Sequence, residues 1–414
     1  MTIKRAFWLT LAAALGLAAQ DQPVVIEAGT VLDGTGKILH NTRIVVENGK
    51  IARIDPKASP VTYDLRGLTV LPGWIDVHVH LTYHFAPSGK YGDRSETPQQ
   101  AELAIAGNAW ATLMGGFTTV QSVGAAADIP VRDDIAKGMI PGPRVLTAVR
   151  PLFGRGPETG TPEQIREFVR KVKGEGADLI KIFASGSIRD GGKPTLSQEQ
   201  LNAACGEANA LGLRTLVHAY RDSVRMATLA GCTEIEHGTF ATPADLKLMA
   251  EHGTYFDPQA GLVLENYLLF KKRFLGVGNY TEEGFKQMEE AEPLDHELFK
   301  ESVATKGLKI VFGTDAVAGA HGRNAEELID RVRDGGQKPM DAMVSANELA
   351  AESLRMEKQI GSIAPGLDAD IIALAGNPLD DITAVRRVAF VMKGGIVYKN
   401  VAPAAIPKFA LFKP

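Results

Sequence analysis

The chain predicts an α/β fold, a (β/α)8 barrel carrying a small β-sandwich made from both chain ends. Short β-branched runs broken by turn residues fill the two ends. Between them, apolar strands alternate with amphipathic helical stretches, the pattern of βα units and a parallel sheet. Length agrees: 414 residues suit two to three domains, or one large barrel with attachments.

Taken in order, Val24-Val25-Ile26, Thr30-Val31-Leu32, Arg43-Ile44-Val45-Val46 and Ile51-Ala52-Arg53-Ile54 read as strands. Gly29, Asp33-Gly34, Asn48-Gly49 and Pro56 punctuate them as turns. A matching set closes the chain: Asp370 to Leu374, Val388 to Met392 and Ile396 to Tyr398, with a Lys393-Gly394-Gly395 turn. Neither end can bury a good core alone, so residues 23–72 and 357–400 are expected to form one β-sandwich domain. The barrel is expected over 73–356. Its eight strand candidates are Trp74 to His80, Phe117 to Val123, Arg144 to Val149, Leu179 to Phe183, Thr215 to Ala219, Glu234 to His237, Thr254 to Asp257 and Lys309 to Phe312. Helices are expected at Thr161 to Lys173, Ser197 to Ala210 and Thr242 to His252. An open doubly wound sheet is the rival, weakened because no Gly-x-Gly-x-x-Gly fingerprint opens the first unit. The stretch at about 262–305 is too long for one crossover helix and reads as a helical insertion, either a lid over the site or plain scaffold.

Residues 1–20 read as a secretory signal peptide: Lys4 and Arg5, an apolar run from Phe7 to Ala19, then a small-residue exit. The run is shorter than the ~20 residues that span a bilayer. A periplasmic or secreted protein with no stable membrane span after cleavage is expected. Lys plus Arg (45) and Asp plus Glu (49) nearly balance, so there is no electrostatic footprint for nucleic acid. Apolar residues at 45% and charged residues at 23% exclude disorder. The two cysteines, Cys205 and Cys232, are too few for a disulfide framework. Export would allow them to pair, but they are expected to be buried, reduced thiols on helices.

Barrel active sites lie at the C-terminal ends of the strands. His78 and His80 end strand one two residues apart, and so share a face. Lys181 lies in the apolar strand Leu179-Ile180-Lys181-Ile182-Phe183, His218 and His237 end strands five and six, and Asp315 follows strand eight. Imidazoles and carboxylates are ligands for Zn²⁺ and similar ions. Alone, a strand histidine is usually a core or cap partner, a strand lysine usually snorkels, and an Asp after Gly-Thr usually caps a helix. Their joint placement at strand ends points instead to a metal site. A lone ammonium aimed into a barrel carries a heavy desolvation cost, which Lys181 escapes by becoming neutral or a ligand. Carboxylation by CO₂ would make it an anion able to bridge two cations.

These residues, set in Leu71-Pro72-Gly73-Trp74-Ile75-Asp76-Val77-His78-Val79-His80, Gly116-Phe117-Thr118-Thr119-Val120, Ile180-Lys181-Ile182, Val217-His218-Ala219-Tyr220, Ile235-Glu236-His237-Gly238, Gly313-Thr314-Asp315 and Gly366-Leu367-Asp368-Ala369-Asp370, carry a resemblance. The sequence resembles the binuclear metal branch of the amidohydrolase superfamily, and within it the imidazolonepropionase-like and Xaa-Pro dipeptidase (prolidase-like) group. The resemblance spans the whole mature chain. It implies that His78, His80 and Asp315 hold one divalent ion, that His218 and His237 hold a second, and that carboxylated Lys181 and a hydroxide bridge them. True imidazolonepropionases lack the bridging lysine, so Lys181 argues against that name. Zinc is the default, since a redox-inert Lewis acid suffices.

The expected activity is hydrolysis of an amide in a dipeptide-like or N-acyl amino acid substrate. The bridging hydroxide attacks the carbonyl, and Asp315 acts as general base and then general acid. Alternatives are a broader amidase on N-aroyl amino acids of the ochratoxin type, and a non-catalytic binding or scaffold relative. For the substrate, Tyr220 is the first candidate, followed by Arg150 and His321; Arg155, Arg221 and His84 also lie on strand-end loops. The partner is a small molecule, and relatives of this type commonly assemble, so a homo-oligomer is expected.

Overall fold

The computed structural model describes residues 23–93, 95–156 and 159–401. The segment expected to be a signal peptide, residues 1–20, lies outside these residues. Among them, no helix is long and apolar enough to cross a membrane.

The two chain ends meet in one eight-stranded sheet. Val24–Leu32 pairs antiparallel with Ile38–Glu47, which turns at Asn48-Gly49 into Lys50–Ile54. Both turn residues have positive φ (52° and 78°), as a tight two-residue hairpin demands. From the other end, Ile371–Leu374, Val388–Lys393 and Ile396–Asn400 form an antiparallel meander. Thr69–Pro72, a strand the sequence reading did not name, joins them: it runs parallel to Val24–Leu32 and antiparallel to Ile371–Leu374. Ile26, Val31, Ile44, Val70, Ile371 and Phe390 are buried together beneath this seam.

All eight expected strands of the central region are present: β1 (Trp74–Val79), β2 (Phe117–Ser122), β3 (Arg144–Thr147), β4 (Leu179–Phe183), β5 (Arg214–Ala219), β6 (Glu234–His237), β7 (Tyr255–Asp257) and β8 (Lys309–Ile310). Their ladders fall into two parallel sheets, β1–β2–β3 and a six-stranded one running from Leu152–Phe153 through β4 to β8. Backbone bonds cross both seams: Asp178 N–H to Thr147 C=O (2.8 Å) at one, and Val77 N–H to Phe312 C=O (3.0 Å) and His80 N–H to Ala316 C=O (2.9 Å) at the other. β3 and β8 are shorter than expected. After β3 the chain bends at Val149 (φ 57°), and past β8 the Phe312 N–H leaves the ladder for the Ser345 carbonyl.

The connecting helices begin where sequence chemistry places them. Thr161, Ser197 and Thr242 each close a capping box, with Gln164, Gln200 and Asp245, at the starts of Pro162–Gly174, Gln198–Ala210 and Pro243–His252. The insertion is helical: Leu262–Leu269, Lys271–Phe274 and Glu282–Ala304. The first of these starts at Gly261, which has no capping side chain. Glu327 takes that role, accepting the N–H groups of Ala260 (2.5 Å), Gly261 (3.1 Å) and Leu262 (3.1 Å). Glu327 is in turn paired with Arg331 (2.9 Å), which reaches Asp257 at the end of β7 (2.6 Å) and the Val311 carbonyl (2.7 Å). All three charged side chains are fully buried.

The cysteines correct the sequence expectation. Cys205 and Cys232 form a disulfide. Cys205 lies on Gln198–Ala210, but Cys232 lies on the loop between Asp222–Leu229 and β6. Successive βα units place the two 5.1 Å apart at Cα, within bridging range, which spacing along the chain does not reveal.

Two outcomes follow. The unfolded, unreduced protein should titrate no free thiols and the reduced protein two, by colorimetric thiol assay; two thiols before reduction would contradict the bridge. Arg331→Met leaves two buried carboxylates without their cation, so thermal unfolding should show a loss of about 3–5 kcal/mol; a loss below about 1 kcal/mol would show that the network carries no such weight.

Candidate metal centre

β1 places His78 and His80 on one face. Fully buried Asp76 fixes the strand end, accepting from the Thr314 hydroxyl (2.7 Å), the Asn324 amide (2.7 Å) and the His78 N–H (3.2 Å). These bonds tie the loop carrying Asp315 to β1. Gly313 makes the approach possible, since a Cβ there would collide with Asp257 and come within 3.0 Å of the His78 Cβ.

The His80 Nε2 lies 3.0 Å from Asp315 Oδ1, and the His78 Nε2 lies 3.4 Å from the same oxygen. The Lys181 amine is fully buried, 3.2 Å from His78 Nε2. It forms no ion pair with any carboxylate among the described residues. The His237 ring sits 4.6 Å from that of His218 and 5.6 Å from that of His78. Two of these residues have strained left-handed backbones, His237 (φ 67°) and Asp315 (φ 49°). Such strain persists where surrounding structure over-determines it, often at functional sites.

Burial dominates the electrostatics. It pushes the His78 and His218 imidazoles well below their ordinary value, and His237 down to about 4. All three are thereby held neutral, with lone pairs available for a cation. Burial likewise lowers the Lys181 amine to about 8, against the opposing pull of Glu236 and Asp315. For Asp315, burial acts upward, but His78, His80 and His237 more than reverse it and hold the carboxyl well below its usual range. The Nδ1 of His78 faces Glu236 Oε2 at 2.7 Å. The same Nδ1 lies 2.9 Å from the Gln259 side-chain nitrogen, and the Nε2 is the edge of the ring turned toward the cluster.

The donor set therefore fits divalent cations. His78, His80 and Asp315 each present a ligand atom within 4.8 Å of the others. Among the described residues, the His80 Nδ1 is buried without a partner. His218 and His237 stand beside them, with the Lys181 amine lining the same space. A cavity of about 250 Å³ opens over this floor. Its walls are phenolic: Tyr83 stacks on His80 at 4.5 Å, Tyr220 packs against His218 and His237, and Tyr91, Tyr267 and Tyr280 close the far side. Among the described residues, Arg189 is the one arginine in the wall.

All six expected metal ligands and Tyr220 thus share one cavity. Arg150 and His321 do not line it. Arg150 pairs with Glu175, because the chain turns away after β3. His321 lies behind the wall, with Nε2 3.2 Å from the Tyr83 carbonyl, and faces a separate cavity beside Gly322 and Arg323. Arg221 donates to the Gly191 carbonyl and stacks on Phe240, Arg155 is exposed, and His84 pairs with Glu96 (2.9 Å). The sequence reading missed Arg189, although it lies on the loop after β4 and the same strand-end rule covers it. It also missed Glu236, adjacent to a named ligand and 2.7 Å from the His78 Nδ1.

Residues 69–397 match the Amidohydrolase family. Among curated proteins, the chain is 27% identical over 438 residues to an ochratoxinase of Aspergillus niger, covering 93% of this chain and 89% of that one. Among solved structures, it is similar to a Xaa-Pro dipeptidase with bound methionine in the active site (29% identity, TM-score 0.82, 92% of this chain and 100% of that one). It is also similar to a prolidase complexed with N-methylphosphonate-L-proline (27% identity, TM-score 0.80, 92% and 100%). The chain belongs to the amidohydrolase family, hydrolases of amide bonds.

Proposed function

We propose that the chain is an exported, binuclear metal-dependent amidohydrolase that cleaves the amide of a dipeptide-like or N-acyl amino acid substrate. The observation that carries this reading is the convergence of His78, His80, Lys181, His218, His237 and Asp315 on one small cavity. In this reading the two parallel sheets act as one (β/α)8 barrel, with residues 73–356 as the catalytic domain and the terminal sheet as its companion.

His78, His80 and Asp315 would hold one ion, His218 and His237 the other, and Lys181, carboxylated at its amine, would lie between them. Bound divalent ions, zinc by default, supply Lewis-acid polarisation of the scissile carbonyl and lower the pKa of water. The chain's own groups do the rest. Asp315 accepts the proton of the attacking water, then delivers it to the leaving nitrogen. Tyr220 orients the substrate from beside His218 and His237, and the tyrosine-lined wall limits water around the reacting carbonyl. Glu236 anchors the His78 ring at Nδ1. The relatives named above act on, or are solved with, molecules of this kind, which supports the reading. Export is supported by the Cys205–Cys232 disulfide, since reducing compartments keep thiols free. A periplasmic or secreted location is part of this proposal.

A panel of dipeptides and N-acyl amino acids offered to the zinc-loaded enzyme tests the reading, and no cleavage of any member would sink it. Asp315→Asn should keep the wild-type circular dichroism while turnover falls by about 10²–10⁴-fold; full turnover in that variant would remove its proposed role. Glu236→Ala should weaken metal retention in a chelator competition by about 10–100-fold; unchanged retention would show that His78 needs no such anchor.

A further inference from the structure

We infer that the separate cavity behind the catalytic wall is a second ligand site, one that takes a small organic anion with an apolar body. It is independent of the substrate the catalytic cavity takes.

Three parts of the chain meet around it: the end of the helix Pro98–Met114, the loop that leads into the helix Glu326–Arg333, and the terminal sheet at Val388–Lys393 and Ile396–Asn400. At about 440 Å³ it is larger than the catalytic cavity and has the size of a small-molecule site. The two cavities share no lining residue. His321 stands between them, giving its Nε2 N–H to the carbonyl of Tyr83, whose ring stacks on His80 on the catalytic side. Glycine lets the helix end and the loop touch through their backbones. Gly322 has φ of 83°, and a Cβ there would stand 3.2 Å from the Ala111 Cβ; a Cβ on Gly115 would stand 3.3 Å from the Gly322 carbonyl oxygen.

The lining carries three cationic side chains, Arg323, Arg386 and Lys399, against one carboxylate, Glu326. Arg386 and Glu326 answer each other, with the guanidinium on both carboxylate oxygens and its Nε 2.7 Å from Oε1. Arg323 and Lys399 have no such answer. Arg323 donates to Asn266 Oδ1 (3.3 Å), Lys399 donates to the Met114 carbonyl (3.2 Å), and among the described residues neither makes an ion pair. Glu265 feels the Arg323 charge from beyond ion-pair distance. The Met114 carbonyl, at a helix C-terminus, offsets part of the Lys399 charge. It takes one of three N–H groups, and burial still holds the amine below its ordinary value. A partly desolvated cation without an anion is costly, and a bound anion relieves that cost. The rest of the lining is largely apolar: Ala111, Met114, Val385 and Val388. An inorganic ion gains nothing from that surface, whereas an acid with an apolar body gains from both.

The test uses 4-bromobenzoate, with 4-bromoacetophenone as its neutral isostere and potassium bromide as the bare anion. Crystals of the purified enzyme soaked in 4-bromobenzoate should show a bromine anomalous peak in this cavity, and crystals soaked in either control should not. In solution, calorimetric titration with 4-bromobenzoate should show binding that Lys399→Met and Arg323→Gln each weaken by about tenfold or more, the loss expected of one charge-assisted hydrogen bond. Circular dichroism identifies a variant that has not folded, and the other variant then decides. Three results would overturn the inference. One is a cavity without bromine after the 4-bromobenzoate soak. Another is a peak of equal height with the ketone or with bromide alone. The third is 4-bromobenzoate affinity that survives both substitutions, which would place the acid elsewhere, such as the catalytic cavity.

Discussion

The structure depends on one constraint: a dense group of polar side chains is held out of water at the ends of parallel strands. His78, Lys181 and Glu236 are each 1% exposed or less. Such a group is tolerable only if each member finds a partner or a cation. The surrounding architecture can be read as the answer to that demand. Asp76 gathers Thr314, Asn324 and the β1 backbone. Arg331 neutralises Asp257 and Glu327 beneath the floor, and Glu327 also starts the insertion helix. The polar network that supports the floor thereby positions the aromatic wall above it.

Family membership and local geometry inform different questions. The family match speaks for amide hydrolysis, but a floor of imidazoles, lysine and carboxylate says nothing about which amide is cut. That information lies in the wall. Here the wall combines tyrosines from the β1 and β5 ends with Tyr267 and Tyr280 from the insertion and Arg189 from the β4 loop. The insertion is therefore part of the binding surface.

Much of the floor was legible in the sequence because period-two strands reveal both direction and face. His78 and His80 share a face by parity alone, and Lys181 stands out through its joint placement with the strand-end histidines. The Asn48-Gly49 hairpin and the capping boxes were legible for the same local reason. What escaped depends on tertiary proximity. The Cys205–Cys232 bridge joins residues 27 apart through the packing of successive βα units. Thr69–Pro72 is four residues long, and its role becomes visible only when the two chain ends are seen on either side of it. Arg150, Arg155, Arg189 and Arg221 all follow strand ends; which one turns inward is decided by Asn279, Tyr280 and Gly284, roughly ninety residues further along the chain than Arg189.

The central claim is that six side chains from five strand ends surround a pair of cations. Anomalous diffraction from crystals grown with zinc, recorded on both sides of the zinc absorption edge, tests it most directly. The account predicts two peaks, one among His78, His80 and Asp315 and one beside His218 and His237, with extra density extending the Lys181 amine between them. A single peak, or an unmodified lysine turned away from the cluster in metal-replete crystals, would contradict it.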